Sequence, residues 1–293
     1  MGWERNGVRD ARKRWTTGRG REAVLLGSST SVDWLRPGHV ERLLRLRGGS
    51  VVDAHINGCH QGCTFAEVRR LLRDKRHYRR AFYGTNQFQI CEFEHSKRVL
   101  QQQMMIPTED VPDLFALYLH ADQPLGYMAR FVGMRLSGVY GDTLFLQGQW
   151  SEAVLGEARK GRQHLWFSQK APPAAPWPWC DYEPGHIAYK VAVSRALYRD
   201  LRRLADRVVV MLLPDENLSR KDPDIEAAWS RHRALHRRLV AEVPGVLLVD
   251  LSQPGGARQP GHFKDGFHVN AEGARLQQAL LEKELREAGV LPR

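Results

Sequence analysis

The 293-residue chain predicts an α/β fold, a three-layer α/β/α sandwich built on a mostly parallel sheet of about five strands. Two observations carry this reading. Short apolar runs without alternation (Ala23 to Gly27, Ser50 to Ala54, Arg207 to Leu213 and Gly245 to Asp250) have the pattern of strands buried on both faces. Stretches with helical spacing lie between them, and a strand–helix alternation of this kind builds parallel rather than hairpin pairing. A hydrophobic content of 42% over this length is enough for a full core.

Each element has its own justification. Residues 1–21 are polar, rich in Gly and Arg, and read as a flexible basic lead-in to a domain over 22–293. The first strand ends in Gly27-Ser28-Ser29, before a helix expected over Val32 to Leu46. The second is followed by a loop, Asn57 to Thr64, and by a helix from Phe65 to Arg73 whose Phe65, Val68, Leu71 and Leu72 share one face. A third strand, Arg80 to Tyr83, stops at Gly84-Thr85-Asn86. Helices at Ile187 to Ala205 and Asp224 to Ala241 precede the last two strands, and a helix from Ala271 to Ala288 closes the fold. Between about 95 and 189 the rhythm is lost, and the stretch reads as an insertion after the third strand. Pro172, Pro173, Pro176 and Pro178 mark an extended loop within it, because proline removes donors and holds its backbone angle.

The 44 Lys and Arg against 33 Asp and Glu leave a formal charge of +11, which raises the local concentration of anions. Much of the excess lies in Arg69 to Arg80 and Arg195 to Arg207, read as solvated helix faces rather than binding stripes. No apolar run reaches the roughly 18 residues of a membrane span. The basic start is not followed by an apolar segment, so neither an anchor nor a signal peptide is read and the cytoplasm is the expected location. Cys59, Cys63, Cys91 and Cys180 are too few for a disulfide framework. Cys59, His60 and Cys63 lack a clear fourth ligand and read as loop residues rather than a zinc site.

The chemistry sits where the strands end. A serine hydroxyl is a poor nucleophile near neutral pH, so it needs a base, and the base needs a third group that holds its tautomer. Ser29 follows the first strand, and Asp265-Gly-Phe-His268 can place a carboxylate beside its own imidazole by local backbone geometry. The oxyanion of a tetrahedral intermediate needs preorganised donors, which a glycine-loop N–H and a side-chain amide provide. Gly62 and Asn86 are the candidates, with Gly58 as a competitor for the first role and Ser28 as a lesser competitor for the nucleophile.

In this order the pieces resemble the four sequence blocks of the SGNH/GDSL hydrolase superfamily. Gly27-Ser-Ser29 resembles its Gly-Asp-Ser block, with Ser28 in place of the aspartate, a variation associated with polysaccharide-modifying members. Asn57-Gly-Cys-His-Gln-Gly62-Cys-Thr64 resembles the second block, Gly84-Thr-Asn86 the third, and Asp265-Gly-Phe-His268 with Val-Asn-Ala-Glu-Gly273 the last. The resemblance covers roughly 22–94 and 190–290. It implies a flavodoxin-like SGNH fold, the triad Ser29, His268 and Asp265, and an oxyanion hole from Ser29 N–H, Gly62 N–H and the Asn86 amide. It further implies a serine esterase without metal or organic cofactor, acting on a short acyl ester of a carbohydrate, or an O-acyltransferase using the same triad. Trp177 and Trp179 are candidates for stacking on a sugar, against simple packing of the insertion. A non-catalytic anion- or nucleic-acid-binding module is the reading from another class; membrane and nucleic acid are not expected partners.

Overall fold

The computed structural model describes residues 21–32, 34–55, 61–91, 108–121, 124–136, 184–219 and 222–291. Its strands are β1 (Ala23–Leu26), β2 (Val51–Asp53), β3 (Tyr78–Asn86), β4 (Ala205–Leu213) and β5 (Val246–Asp250). They lie in the order β2-β1-β3-β4-β5 and every neighbouring pair is parallel. This is the doubly wound, flavodoxin-like order, in which sites form beyond the carboxyl ends of the strands.

Side-chain alternation along the strands feeds two apolar clusters, one on each face. Val24, Leu26, Val208 and Val210 pack with Phe65, Val68 and Leu71 of α3 (Gln61–Arg73) and Leu197 and Leu201 of α7 (Pro184–Leu204). Ala23, Leu25, Val209 and Met211 pack with Val40 of α2 (Pro37–Leu43) and Leu280, Leu281 and Leu285 of α9 (Ala271–Glu287). Each large side chain buried in this way contributes roughly 1.5–3 kcal/mol. The layers are the expected α/β/α sandwich.

Several boundaries differ from the sequence expectation, each for a local reason. The helix expected over Val32 to Leu46 is two: α1 (Ser29–Val32) and α2. Pro37 forces the preceding Arg36 into an extended conformation, φ −98° and ψ 151°, and restarts the helix as its first residue. Gln61 to Thr64 belong to α3 rather than to a loop, with Gln61, Cys63 and Thr64 buried along with the rest of its packed face. β3 runs through Gly84 to Asn86 instead of stopping before them. Gly84 serves the strand by having no side chain, since a Cβ there would meet Ser31 Cβ at 2.9 Å and Leu213 Cδ1 at 3.1 Å.

The arginines of α3 and α7 are not simply solvated. Arg69 bonds the buried Asp200 of α7 and, at 2.5 Å, Asp113 of α5 (Val111–Tyr118); Arg73 bonds Glu109 and Asp110, and Arg203 reaches Asp200 at 3.0 Å. Burial raises the Asp200 carboxyl, and the Arg69 and Arg203 guanidiniums offset only part of that rise. These contacts tie the stretch read as an insertion to the core. Leu114 and Tyr118 of α5 and Tyr127 and Phe131 of α6 (Pro124–Leu136) enter the same apolar cluster as α3 and α7. Tyr118 stacks with both Tyr127 and Tyr189, at centroid distances of 5.6 and 5.5 Å, and those two stack with each other at 6.3 Å. No helix among the described residues is long and apolar enough to cross a membrane.

Two further features support the segment ahead of α9. Asn270 caps that helix by accepting from Glu272 N and Gly273 N, both at 3.0 Å, and its own N–H donates to His262 O at 2.9 Å. Gly273 lets the His262 carbonyl rest on the first turn, because a Cβ there would lie 2.2 Å from that oxygen. Behind the sheet, α8 (Pro223–Ala241) buries His232 and His236 completely. The Tyr198 phenol, held protonated by burial, donates to His236 Nδ1 at 2.6 Å. Burial pushes the His236 pKa from 6.5 down to about 3, and burial, then His236 and Arg233, push that of His232 well below its ordinary value.

Gly273→Ala is expected to cost about 1–3 kcal/mol, because the obstruction is backbone. Gly133→Ala in α6, where a Cβ meets nothing within 4 Å, should leave stability unchanged or raise it; urea unfolding of both variants checks this. The buried histidines make stability depend on pH. It is full above the ordinary histidine range and falls below about pH 6.5, where the unfolded imidazoles bind protons that the folded ones refuse. Urea unfolding between pH 7.5 and 4.5 should show this loss, with a shallower slope in His236→Gln.

Candidate active site

The turn after β1 brings Ser29 to the carboxyl edge of the sheet. Gly27, at φ +138°, makes the turn in a conformation that disfavours a side chain, and a Cβ there would also meet Ser31 Oγ at 2.6 Å and Gly84 O at 3.0 Å. The Ser29 turn therefore lies directly against β3, two residues ahead of Asn86. Ser29 opens α1, so its N–H belongs to the first turn, whose donors have no intrahelical acceptor.

The last loop brings Asp265 and His268. Asp265 Oδ1 accepts from the backbone N–H groups of Phe267 and His268, both at 2.9 Å, which folds the loop around the carboxylate. His268 Nδ1 lies 2.9 Å from Asp265 Oδ2 and 3.0 Å from Oδ1. With Nδ1–H donating to the carboxylate, Nε2 is left as an acceptor, and Ser29 Oγ–H reaches it at 2.9 Å. Burial by itself would raise the Asp265 carboxyl, but the hydrogen bonds from His268 and from the Phe267 and His268 N–H groups outweigh it and hold the pKa below the ordinary value. The loop is pinned by Lys264 N to His268 O at 2.7 Å and by Glu216 N to Gly266 O at 3.0 Å. Gln278 of α9 donates to Trp34 O at 2.7 Å, linking the helix after His268 to the segment after Ser29.

The remaining candidates fall as follows. Asn86 ends β3, is 3% exposed, and through Oδ1 accepts at 3.1 Å from the N–H of Gln89 in α4 (Gln87–Cys91), which leaves its amide nitrogen as the free end among the described residues. Gly62 lies in the first turn of α3, where N–H groups are likewise without intrahelical acceptors. Ser28 bonds Thr30 Oγ1 at 2.9 Å, so the serine at the imidazole is Ser29. Gly58, Cys59 and His60, together with Trp177 and Trp179, lie outside the described residues. Cys63 is disulfide-bonded, which corrects its reading as a mere loop cysteine. Among the described residues no group of three His, Cys, Asp or Glu side chains could hold a metal ion.

One pair escaped the sequence reading. At the end of β2, Asp53 Oδ1 accepts from His55 N at 3.1 Å and from its Nδ1 at 2.9 Å, the same tautomer-holding contact that Asp265 makes with His268. Its only signal is Asp-x-His directly after an apolar run, which also reads as ordinary strand alternation. His55 Nε2 is buried and has no hydrogen-bond partner among the described residues.

No family model matches the chain, and neither does any curated protein. Solved structures do resemble it. One, from Streptococcus pneumonia and provisionally named a platelet activating factor, is 11% identical, with 98% of this chain and 92% of that one covered and a TM-score of 0.43. Another, a GDSL-like lipase from Bacteroides thetaiotaomicron, is 12% identical, with 97% and 98% covered and a TM-score of 0.41. Likenesses at this level leave the site to stand on its own geometry.

Proposed function

We propose that this chain is a serine-dependent ester hydrolase that works through an acyl-enzyme on Ser29. The observation that supports this is the unbroken hydrogen-bond line Ser29 Oγ, His268 Nε2, His268 Nδ1, Asp265, joining residues 239 apart in sequence. A turn serine whose role is only to cap a helix has no need of an imidazole oriented by its own carboxylate.

In the proposed cycle the Ser29 oxygen attacks the ester carbonyl carbon while His268 Nε2 takes the hydroxyl proton. Asp265, kept ionised, stabilises the imidazolium and holds its orientation. Ser29 N–H, Gly62 N–H and the Asn86 amide hold the oxyanion. Collapse of the tetrahedral intermediate breaks the bond to the leaving alkoxide, which receives the proton from His268. Water, deprotonated by the same imidazole, then attacks the acyl carbon and releases the acid and Ser29. The substrate we propose is a short-chain acyl ester of a carbohydrate, on the resemblance of Gly27-Ser-Ser29 to polysaccharide-modifying sequences. A sugar hydroxyl in place of water would make the same chemistry a transfer.

Treatment with a small fluorophosphonate should add one adduct by intact mass, lost in Ser29→Ala together with p-nitrophenyl acetate hydrolysis. No adduct and no turnover in folded protein would overturn the proposal. His268→Ala should nearly abolish turnover, and Ser29→Ala/His268→Ala should cost little more than either alone, because the residues act as a unit. Asn86→Ala should lower turnover about a hundred- to a thousand-fold; wild-type rates in that variant would remove it from the oxyanion hole. Acetate release from an O-acetylated oligosaccharide, measured beside a glycerol ester, tests the substrate class.

A further inference from the structure

At the opposite edge of the sheet from Ser29, two arginines sit side by side, and among the described residues neither forms an ion pair with a carboxylate. Arg80 of β3 and Arg207 of β4 are register partners on adjacent parallel strands, so their backbones are about 4.8 Å apart. Two residues further along each strand, Phe82 and Val209 pack in the cluster under α9, and the period of two sets both arginines on that side. Arg207 Nη1 is steadied by Gly289 O at 3.4 Å, just beyond α9. Like charges facing each other across two strands destabilise a sheet.

The carboxylates nearby are engaged elsewhere. Glu22 pairs with Arg79 at 3.6 Å, and Asp206 with His77 at 2.9 Å. Arg80 Nε is buried and has no hydrogen-bond partner. A desolvated guanidinium donor without an acceptor is costly, and the fold keeps one beside a second guanidinium. Burial first, and then the charges of Arg207 and Arg79, act against the protonated form of Arg80, with Glu22 opposing them. The arginines of α3 and α7, by contrast, are matched by Asp110, Asp113, Asp200 and Glu109.

We propose that Arg80 and Arg207 form a seat for a phosphate-type oxyanion at the amino end of the sheet, separate from the Ser29 site. Two planar guanidinium forks can each give paired N–H donors to the oxygens of one tetrahedral dianion, which satisfies Arg80 Nε and neutralises the repulsion in one step. The ligand class is inorganic phosphate, sulfate or the phosphate group of a small metabolite. About six residues of β3 separate Arg80 from Asn86, roughly 20 Å, so occupancy of this seat does not block the proposed catalytic edge.

Thermal unfolding of the full chain in inorganic phosphate, sulfate, acetate and chloride at matched ionic strength tests this. The melting temperature should climb with phosphate and sulfate beyond the chloride and acetate series. Arg207→Gln should lose that extra rise while melting, without phosphate, at or above the wild-type temperature, because the paired charge is gone. A residue with a merely structural role would lower the phosphate-free value instead. Arg80→Gln should lose the rise as well, and Ser29→Ala should keep it. Equal responses to all four anions, a phosphate response retained in both arginine variants, or its loss in Ser29→Ala would each overturn the assignment.

Discussion

All five strands point the same way, so the chain must return to the same edge of the sheet before starting each new strand, and both faces become covered by packed helices. This constraint organises everything else. Every strand delivers its carboxyl end to one edge, and the loops that leave that edge carry Ser29, Asp53 with His55, Asn86 and, after β5, the loop with Asp265 and His268. Ser29 and His268 meet at this edge, while the apolar groups behind them are buried on the two faces of the sheet.

Close approach of backbone to backbone refines the arrangement. Gly27 and Gly84 let the Ser29 turn press onto β3, with Ser31 filling the space their missing side chains leave. Gly273 allows the His262 carbonyl to sit on α9, which fixes the lead-in to the His268 loop. The geometry of Ser29, His268 and Asp265 is therefore set by contacts some distance from these side chains, in line with the need to hold a functional constellation to within a fraction of an ångström.

Charge is partitioned by the same scaffold. On the α3–α7 side Arg69, Arg73 and Arg203 are internal wiring, received by Asp200 and by the acidic residues around the start of α5. This weakens any reading of those helices as a nucleic-acid surface, because the guanidiniums are already committed. At the amino end of the sheet Arg80 and Arg207 are register partners, and among the described residues neither forms an ion pair with a carboxylate.

Much of this was legible in the residue order. Unbroken apolar runs named β1, β4 and β5 because burial on both faces leaves no room for alternation, and Asp265-Gly-Phe-His268 announced its pair because a three-residue turn brings carboxylate and imidazole together locally. The break at Pro37 and the start of α3 at Gln61 were misplaced, since Gly and Thr signal a loop only when nothing packs against them. The sequence by itself determined the class of fold, the candidate nucleophile and the local acid–base pair, all of which depend on neighbours within a few positions. Only the tertiary structure decided that His268 meets Ser29 across 239 residues, that Asp200 takes up Arg69, and that Arg80 faces Arg207, because strand order and register, which no local pattern encodes, bring those groups together.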